Sequence, residues 1–347
     1  MRSHSKISNK DVQSLLYTFV DNQRIQLMSI LGIGAYGVVY LGQSKDDNRY
    51  YAVKLLATQH NAICREAEIH AYLSGHPNIL TFEKIVQQGK NPTRTFLILE
   101  YIPEGDLFVA ITRNKGNIMG NNDLIRSIFL QIIDAVEFCH QNNIAHRDLK
   151  PENIMLGDDF KVKLADFGLA TMNAVSMEYG CGSSFYFSPE CQGASVLAQN
   201  HTTRGYSTQK NDIWSLGIIL INLTTGRNPW RQATMNNSTF ATYVRNPDQF
   251  FRTILPNISK ELEWILLRIF SLNPAYRLSL PELRLSIQNC SSFVISQQLT
   301  TTLKKKMMMK RKPVCCYHTI MTCSDSITET MLHYVNTFTD DHDNIKI

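Results

Sequence analysis

The feature that most restricts this chain is a set of three glycines between two extended segments, Gly32-Ile33-Gly34-Ala35-Tyr36-Gly37-Val38-Val39. Glycines at this spacing let the backbone fold closely over phosphate groups and turn N–H donors toward them. The same spacing also serves dinucleotide folds and plain glycine-rich hairpins. A dinucleotide fold needs a helix to start inside the glycine run. Here Val38-Val39-Tyr40-Leu41 is β-branched and aromatic and continues as a strand. The dinucleotide arrangement is therefore disfavoured. A lone hairpin stays open until the residues downstream are read.

From Ile25 to Leu99 the segments are short and rich in Val, Ile, Tyr and Phe. Ile25–Gly32, Gly37–Gln43, Tyr50–Leu56 and Phe96–Tyr101 read as strands, and a helix over Ala62–Ser74 stops at Gly75. Past Gly105 the pattern becomes helical. Leu124, Ile128, Ile132, Val136 and Cys139 share one stripe of a helix over Asn122–Asn142. Asp212–Thr224 is nearly all apolar and is expected to be buried, while Glu261–Ser271 and Pro281–Asn289 are amphipathic. The fold class is α+β. Residues 1–24 read as an N-terminal extension, 25–290 as the folded domain with a β-rich part (25–100) and a larger helical part (101–290), and 291–347 as a tail. The tail carries the basic run Lys304–Lys312, which suits a nuclear signal, an anionic-surface patch or a solvated charged segment.

Composition narrows the classes. Of 347 residues, 44% are hydrophobic and 19% charged, enough apolar material for a sizeable core and too much for global disorder. A formal net charge of +5 does not imply direct nucleic-acid binding. The longest apolar run, Ile213–Leu223, is shorter than the roughly 20 residues of a spanning helix, so no membrane span is expected. The opening residues lack a charged-then-apolar pattern, so secretion is not expected, and the eight cysteines contain no C-x-x-C pair. The expectation is a soluble, reduced, intracellular chain in cytoplasm or nucleus, acting as a monomer.

The decisive stretch is His146-Arg147-Asp148-Leu149-Lys150-Pro151-Glu152-Asn153, followed by Asp166-Phe167-Gly168 and Ser188-Pro189-Glu190. With the glycine run and Tyr51-Ala52-Val53-Lys54 these ordered motifs resemble the eukaryotic protein kinases, over about Ile25 to Cys290. That resemblance implies a bilobal fold that uses ATP and Mg²⁺ to phosphorylate proteins. Lys54 would clamp phosphates, Asn153 and Asp166 would hold Mg²⁺, and Asp148, with Lys150 beside it, would take the acceptor proton. Only one of Glu66 and Glu68 can face Lys54, because residues two apart on a helix point about 200° apart; Glu66, directly after Arg65 as in the family's Arg-Glu pattern, would hold it. Ile33, Gly34, Ala35 and Gly37 would cover the nucleotide. Val39 and Ala52 would roof the adenine and Met155 would floor it. Backbone groups of Glu100 and Ile102 would pair with the base edge, with Leu99 behind it, and Asp106 would meet the ribose.

Further positions follow from the same likeness. Lys150 and Ser183 resemble the serine/threonine-specific class, and Asp106 with Glu152 would favour an Arg three residues before the phosphoacceptor. Asn222 stands where an acidic residue would read the neighbouring basic position. Asp212 would bind catalytic-loop backbone, Glu190 and Arg277 would pair in the large lobe, and His70 would lie against Phe167. Arg147 would be met by Glu178, or the loop there ordered by packing of Tyr179, Phe185 and Tyr186. The run from Glu178 to Cys191 and Arg227-Asn228-Pro229-Trp230 resemble fungal kinases that negatively regulate sexual conjugation and meiosis, implying a role in nutrient, cell-cycle or meiosis signalling. The competing reading is a kinase-fold scaffold that binds partners without catalysis; the intact Lys54, Asp148, Asn153 and Asp166 count against it.

Overall fold

In the computed structural model, which describes residues 9–34, 37–56, 60–89, 94–193 and 205–295, the glycine run sits at the tip of an antiparallel hairpin. Its strands, β2 (Ile25–Gly34) and β3 (Gly37–Ser44), belong to a six-stranded sheet with β1 (Phe19–Val20), β4 (Tyr50–Leu56), β5 (Phe82–Gln88) and β6 (Arg94–Glu100). The order is β1-β2-β3-β4-β6-β5, antiparallel throughout. Side chains alternate across the pleat. Leu27, Val38, Tyr40, Val53, Phe96 and Ile98 form the apolar cluster on one face. Leu56, Leu97 and Leu99 join Ala67, Leu80 and Ala165 on the other. Burial on both faces explains why Phe96–Leu99 reads as an unbroken apolar run.

The segment before Ile25, set apart above as an extension, is part of this core from Asn9 onward. The helix α1 (Asn9–Ser14) and β1 bring in Val12, Leu15 and Val20, all buried. The Tyr40 hydroxyl donates to the Val12 carbonyl at 3.0 Å. One helix, α2 (His60–Leu73), crosses the sheet and presents Glu66, Ala67, Ile69, His70 and Leu73 inward.

The second part is helical: α3 (Leu107–Thr112), α4 (Asn122–Gln141), α5 (Thr208–Thr225), α6 (Ser238–Arg245), α7 (Pro247–Ile254), α8 (Lys260–Ile269) and α9 (Leu280–Asn289). Two small antiparallel pairs lie between them, β7 (Ile154–Leu156) with β8 (Val162–Leu164) and β9 (Val175–Ser176) with β10 (Tyr206–Ser207). The Ser207 hydroxyl caps α5, and Gly226 ends it at φ +71°. Nearly all of α5 is buried, with Trp214 at its centre against Trp230, Phe240 and Phe270. This helix is the rigid post of the large lobe. Among the described residues no helix is long and apolar enough to cross a membrane. The tail with its basic run, and residues 194–204, lie outside the described residues.

Candidate active site

Strand β4 ends with Val53–Leu56 buried, so Lys54 enters the space between sheet and helices from a fixed backbone. Its Nζ lies 2.7 Å from Glu66 Oε1 and 2.7 Å from Asp166 Oδ1. Lys54 and Glu66 are both buried, and Glu68 is exposed. Burial alone would lower the Lys54 ammonium; the carboxylates of Asp166 and Glu66 override it and hold the group above the usual lysine range. Burial pushes Glu66 up, against the pull of Lys54. Burial also pushes Asp166 up, but Lys54 outweighs it and brings that carboxyl down to about 2. A carboxylate that stays ionised beside a fixed cation suits phosphate and metal chemistry.

The catalytic-loop residues meet around Asp148. The Lys150 ammonium donates to Asp148 Oδ2 at 2.9 Å and to the Ser183 hydroxyl at 2.8 Å. The Ser183 N–H donates to Asp148 Oδ1 at 2.9 Å, and Asn153 Nδ2 donates to the Asp148 carbonyl at 2.8 Å. Asp148 is thus oriented from both oxygens. Arg147 and Asp166 hold left-handed backbones, φ +66° and +61°, which non-glycine residues adopt only under constraint. For Arg147 the constraint comes from α5, whose Asp212 carboxylate accepts from the backbone N–H groups of His146 and Arg147 at 2.8 Å each.

Ala52, Ile102 and Met155 pack on the cluster that contains Leu99, so the proposed adenine roof and floor share one apolar cleft. Val39 pairs with Lys54 across β3 and β4. Thr81 and Lys163 pin the Glu100 carboxylate, at 2.7 and 3.1 Å, at the end of β6. Ile33 is 62% exposed and Gly34 is exposed, on the open side of the hairpin; Ala35 lies outside the described residues. Gly37 is required there. Its φ is +153°, and a Cβ would fall 2.1 Å from the Leu55 carbonyl oxygen. Asp106 caps α3, accepting from the Val109 N–H at 2.8 Å. Burial raises its carboxyl.

The donor set fits Mg²⁺. Asp166 spends Oδ1 on Lys54 and the Gly168 N–H, and among the described residues no hydrogen bond engages its Oδ2. Asn153 uses only its amide N–H, leaving Oδ1. A carboxylate and an amide carbonyl are hard oxygen donors, and Mg²⁺ binds few protein ligands because it keeps waters and phosphate oxygens. The backbones are tied, with the Ala165 N–H donating to the Asn153 carbonyl at 2.8 Å.

Comparison with known proteins agrees with this geometry: the protein kinase domain family matches residues 25–286. The chain belongs to the protein kinase family. The kinase is 44% identical over 299 residues to the negative regulator of sexual conjugation and meiosis of Schizosaccharomyces pombe, covering 80% of this chain and 62% of that one. It is 35% identical over 236 residues to serine/threonine-protein kinase VHS1 of Saccharomyces cerevisiae, covering 66% and 50%. It is 34% identical over 260 residues to serine/threonine-protein kinase ksp1 of Schizosaccharomyces pombe, covering 71% and 53%. The chain therefore spans between 50% and 62% of the length of these relatives.

Around Arg147 the kinase gathers its activation segment. The guanidinium donates to the Leu169 carbonyl at 2.7 Å, the Ser176 hydroxyl at 3.2 Å and Glu178 Oε2 at 2.9 Å. Of the aromatic residues expected to order the loop, Tyr186 is buried while Tyr179 and Phe185 are each 43% exposed. Glu190 and Arg277 pair through two contacts, one of 2.8 Å, under a fully buried guanidinium. The Asn222 amide donates to the Arg227 carbonyl and to Asn228. His70 lies 4.8 Å from Phe167, ring to ring, and its Nε2 is 2.8 Å from the Leu80 carbonyl. Among the contacts that sequence reasoning missed are Arg65 on the Thr171 hydroxyl at 2.7 Å, His140 on Asp212 at 2.9 Å, and the β9–β10 pair. Their partners are a hydroxyl, a carboxylate already assigned and bare backbone, none of which leaves a motif.

Proposed function

We propose that the chain is a serine/threonine protein kinase that transfers the γ-phosphoryl group of ATP to hydroxyls of protein substrates. The observation that carries this is the bonding of Asp148 to both Lys150 and Ser183, beside the Lys54–Glu66–Asp166 set. Asp148 receives the proton of the incoming hydroxyl as its oxygen bonds to the γ-phosphorus and the bridging oxygen to ADP departs. Lys150, fixed between Asp148 and Ser183, offers its remaining N–H to the transferring oxygens. Lys54, held by Glu66, binds the α- and β-phosphates. Mg²⁺ bound through Asn153 and Asp166 would neutralise phosphate charge. Transfer of label from ATP to a basic protein by wild type, lost in Asp148→Ala with nucleotide binding retained, is the expected result. No transfer by folded, nucleotide-bound wild type would leave a scaffold.

The acceptor class follows from charge. Asp106 and Glu152 sit on α3 and on the loop that packs against it, with Asp106 bridged to Met155. An Arg three residues before the acceptor would meet both, worth about 1 kcal/mol at so open a site, or about fivefold enrichment on a peptide array. Asn222, committed to neutral partners, gives little selection at the adjacent position. The likeness to a regulator of conjugation and meiosis supports a signalling role of that kind. The run Lys304–Lys312 supports residence in cytoplasm or nucleus; a tagged chain lacking that run but unchanged in distribution would remove the nuclear signal.

A further inference from the structure

The activation segment is held by a piece of chain that no catalytic motif includes. Residues Gly205–Thr208 run antiparallel to Asn173–Ser176. Tyr206 pairs with Ser176 and Ser207 with Val175. Beyond the strand, the Thr208 N–H donates to the Ala174 carbonyl at 3.1 Å. The Thr208 hydroxyl donates to the carbonyls of Asn173 at 2.8 Å and Ala174 at 3.2 Å. The Gly205 N–H donates to the Tyr179 hydroxyl at 2.9 Å. Tyr206 is buried with Phe187 and Cys191, which flank Ser188-Pro189-Glu190 at the end of the acceptor loop that follows Ser183. Contact is close enough that a Cβ on Gly205, at φ +96°, would fall 2.6 Å from Val175 Cγ1 and 2.8 Å from the Ser176 carbonyl oxygen.

What this strap is fixed to matters more than its bond count. Thr208 is fully buried and begins α5. One turn on, Asn211 accepts from the N–H and hydroxyl of Ser188, and Asp212 holds the backbone of His146 and Arg147. The first turn of α5 therefore fixes the activation segment, the end of the acceptor loop and the catalytic loop to one rigid post. Another hold on the segment, Glu178 on Arg147, is 72% exposed at its carboxylate and open to screening.

We propose that Gly205–Thr208 is a positioning strap: through α5 it keeps the activation segment in the register that seats Ser183 on Asp148 and Lys150. The inference rests on the kinase reading above. Its residues touch neither nucleotide nor acceptor, so they act on turnover through Ser183 and leave the nucleotide cleft alone.

The test uses the full chain with Thr208→Val, Thr208→Ser and Gly205→Ala. Thr208→Val removes two carbonyl bonds at nearly constant shape. It is expected to lower kcat with a peptide acceptor about tenfold and to speed amide exchange in 173–179. The directly measured dissociation constant for ADP should stay within twofold. Thr208→Ser, which keeps the hydroxyl, should restore most of kcat, and Gly205→Ala should fall at least as far as Thr208→Val. Unchanged kcat in folded Thr208→Val overturns the proposal. So does a parallel loss of ADP binding and kcat, which would mean general damage to the fold. If wild type itself transfers no phosphate, the kinase reading fails; faster exchange in 173–179, confined to that segment, then still upholds the strap, and unchanged exchange overturns it.

Discussion

Replacing His70 with leucine separates two effects that the structure places on one side chain. His70 is 1% exposed and stands between Phe167 and Phe82, with ring centroids 4.8 and 5.7 Å away. A carbonyl can only accept, so the proton of the neutral ring is on Nε2, which donates to Leu80 at 2.8 Å. Burial pushes the imidazole down to about 4, with Lys54 and His146 adding to the fall and Asp166 opposing it. The unfolded chain takes up this proton near 6.5, and the folded site refuses it until about 4. Between those values the unfolded state binds more protons, so stability is complete above the window and falls as pH drops through it. At about 1.36 kcal/mol per pH unit, the loss from this group is roughly 2 kcal/mol by pH 4.5. His70→Leu removes that loss but strands the Leu80 carbonyl, a cost of about 1–3 kcal/mol partly offset by apolar burial. Urea unfolding at pH 7 and pH 4.5, wild type against variant, reads the difference of differences, in which groups that His70 does not touch cancel. The variant should be the less stable protein at pH 7 and gain about 2 kcal/mol relative to wild type at pH 4.5. Equal effects of the substitution at both pH values would refute the burial argument.

Three other measurements bear on the structure. Glu178→Ala removes a carboxylate that is 72% exposed, so the Arg147 pair contributes at most about 1 kcal/mol after screening; activity should drop no more than about fivefold, and phosphatase treatment of the wild type should leave most of it. A larger loss in either case would show that charge at Arg147 dominates. Glu190→Gln leaves Arg277 buried without its counter-charge and should cost about 3–5 kcal/mol in denaturant unfolding, against under about 1 kcal/mol for Arg268→Ala in the exposed Arg268–Glu282 pair. Deleting residues 1–20 strips Val12, Leu15 and Val20 from the sheet; a net loss of about 2 kcal/mol lowers Tm by roughly 5 °C, and an unchanged Tm would mean the segment is an appendage after all.

The phosphate-handling residues were legible because chemistry confines them to short stretches. Asp148, Lys150 and Asn153 fall within six positions, where one loop can turn them onto a common point. Lys54 and Glu66 are farther apart and were placed by the Ala-Val-Lys and Arg-Glu patterns that carry the resemblance; in the fold one turn of α2 buries Glu66 and His70 while exposing Glu68. Of the long helices, α4 was legible from its apolar stripe and α5 from its nearly unbroken apolar run, and their ends fell within a few residues of those expected. What escaped was mostly short, the seven-residue strand β5 being the exception. The strands β1, β9 and β10 have two residues each, too few for alternation to show, and α6 and α7 are eight-residue helices separated by Asn246 alone.

Several of the contacts that escaped have a second property: one partner is backbone. The Thr208 hydroxyl meets carbonyls of Asn173 and Ala174, His70 meets the carbonyl of Leu80, and Tyr40 meets that of Val12. A carbonyl is present at every position, so no residue type marks its role, and the pairing exists only once the fold has brought distant segments together. Transfer chemistry and the ordering of the loop that performs it are therefore written differently in the same chain. Lys54, Asp148, Asn153 and Asp166 need particular functional groups and announce themselves. The register of Ser183 depends on where α5 starts, and that start is set by Ser207 capping a helix whose buried face was chosen for packing around Trp214. A substitution at Thr208 or Gly205 would thus look neutral beside the kinase motifs, although both residues stand on the same post that holds the catalytic loop through Asp212.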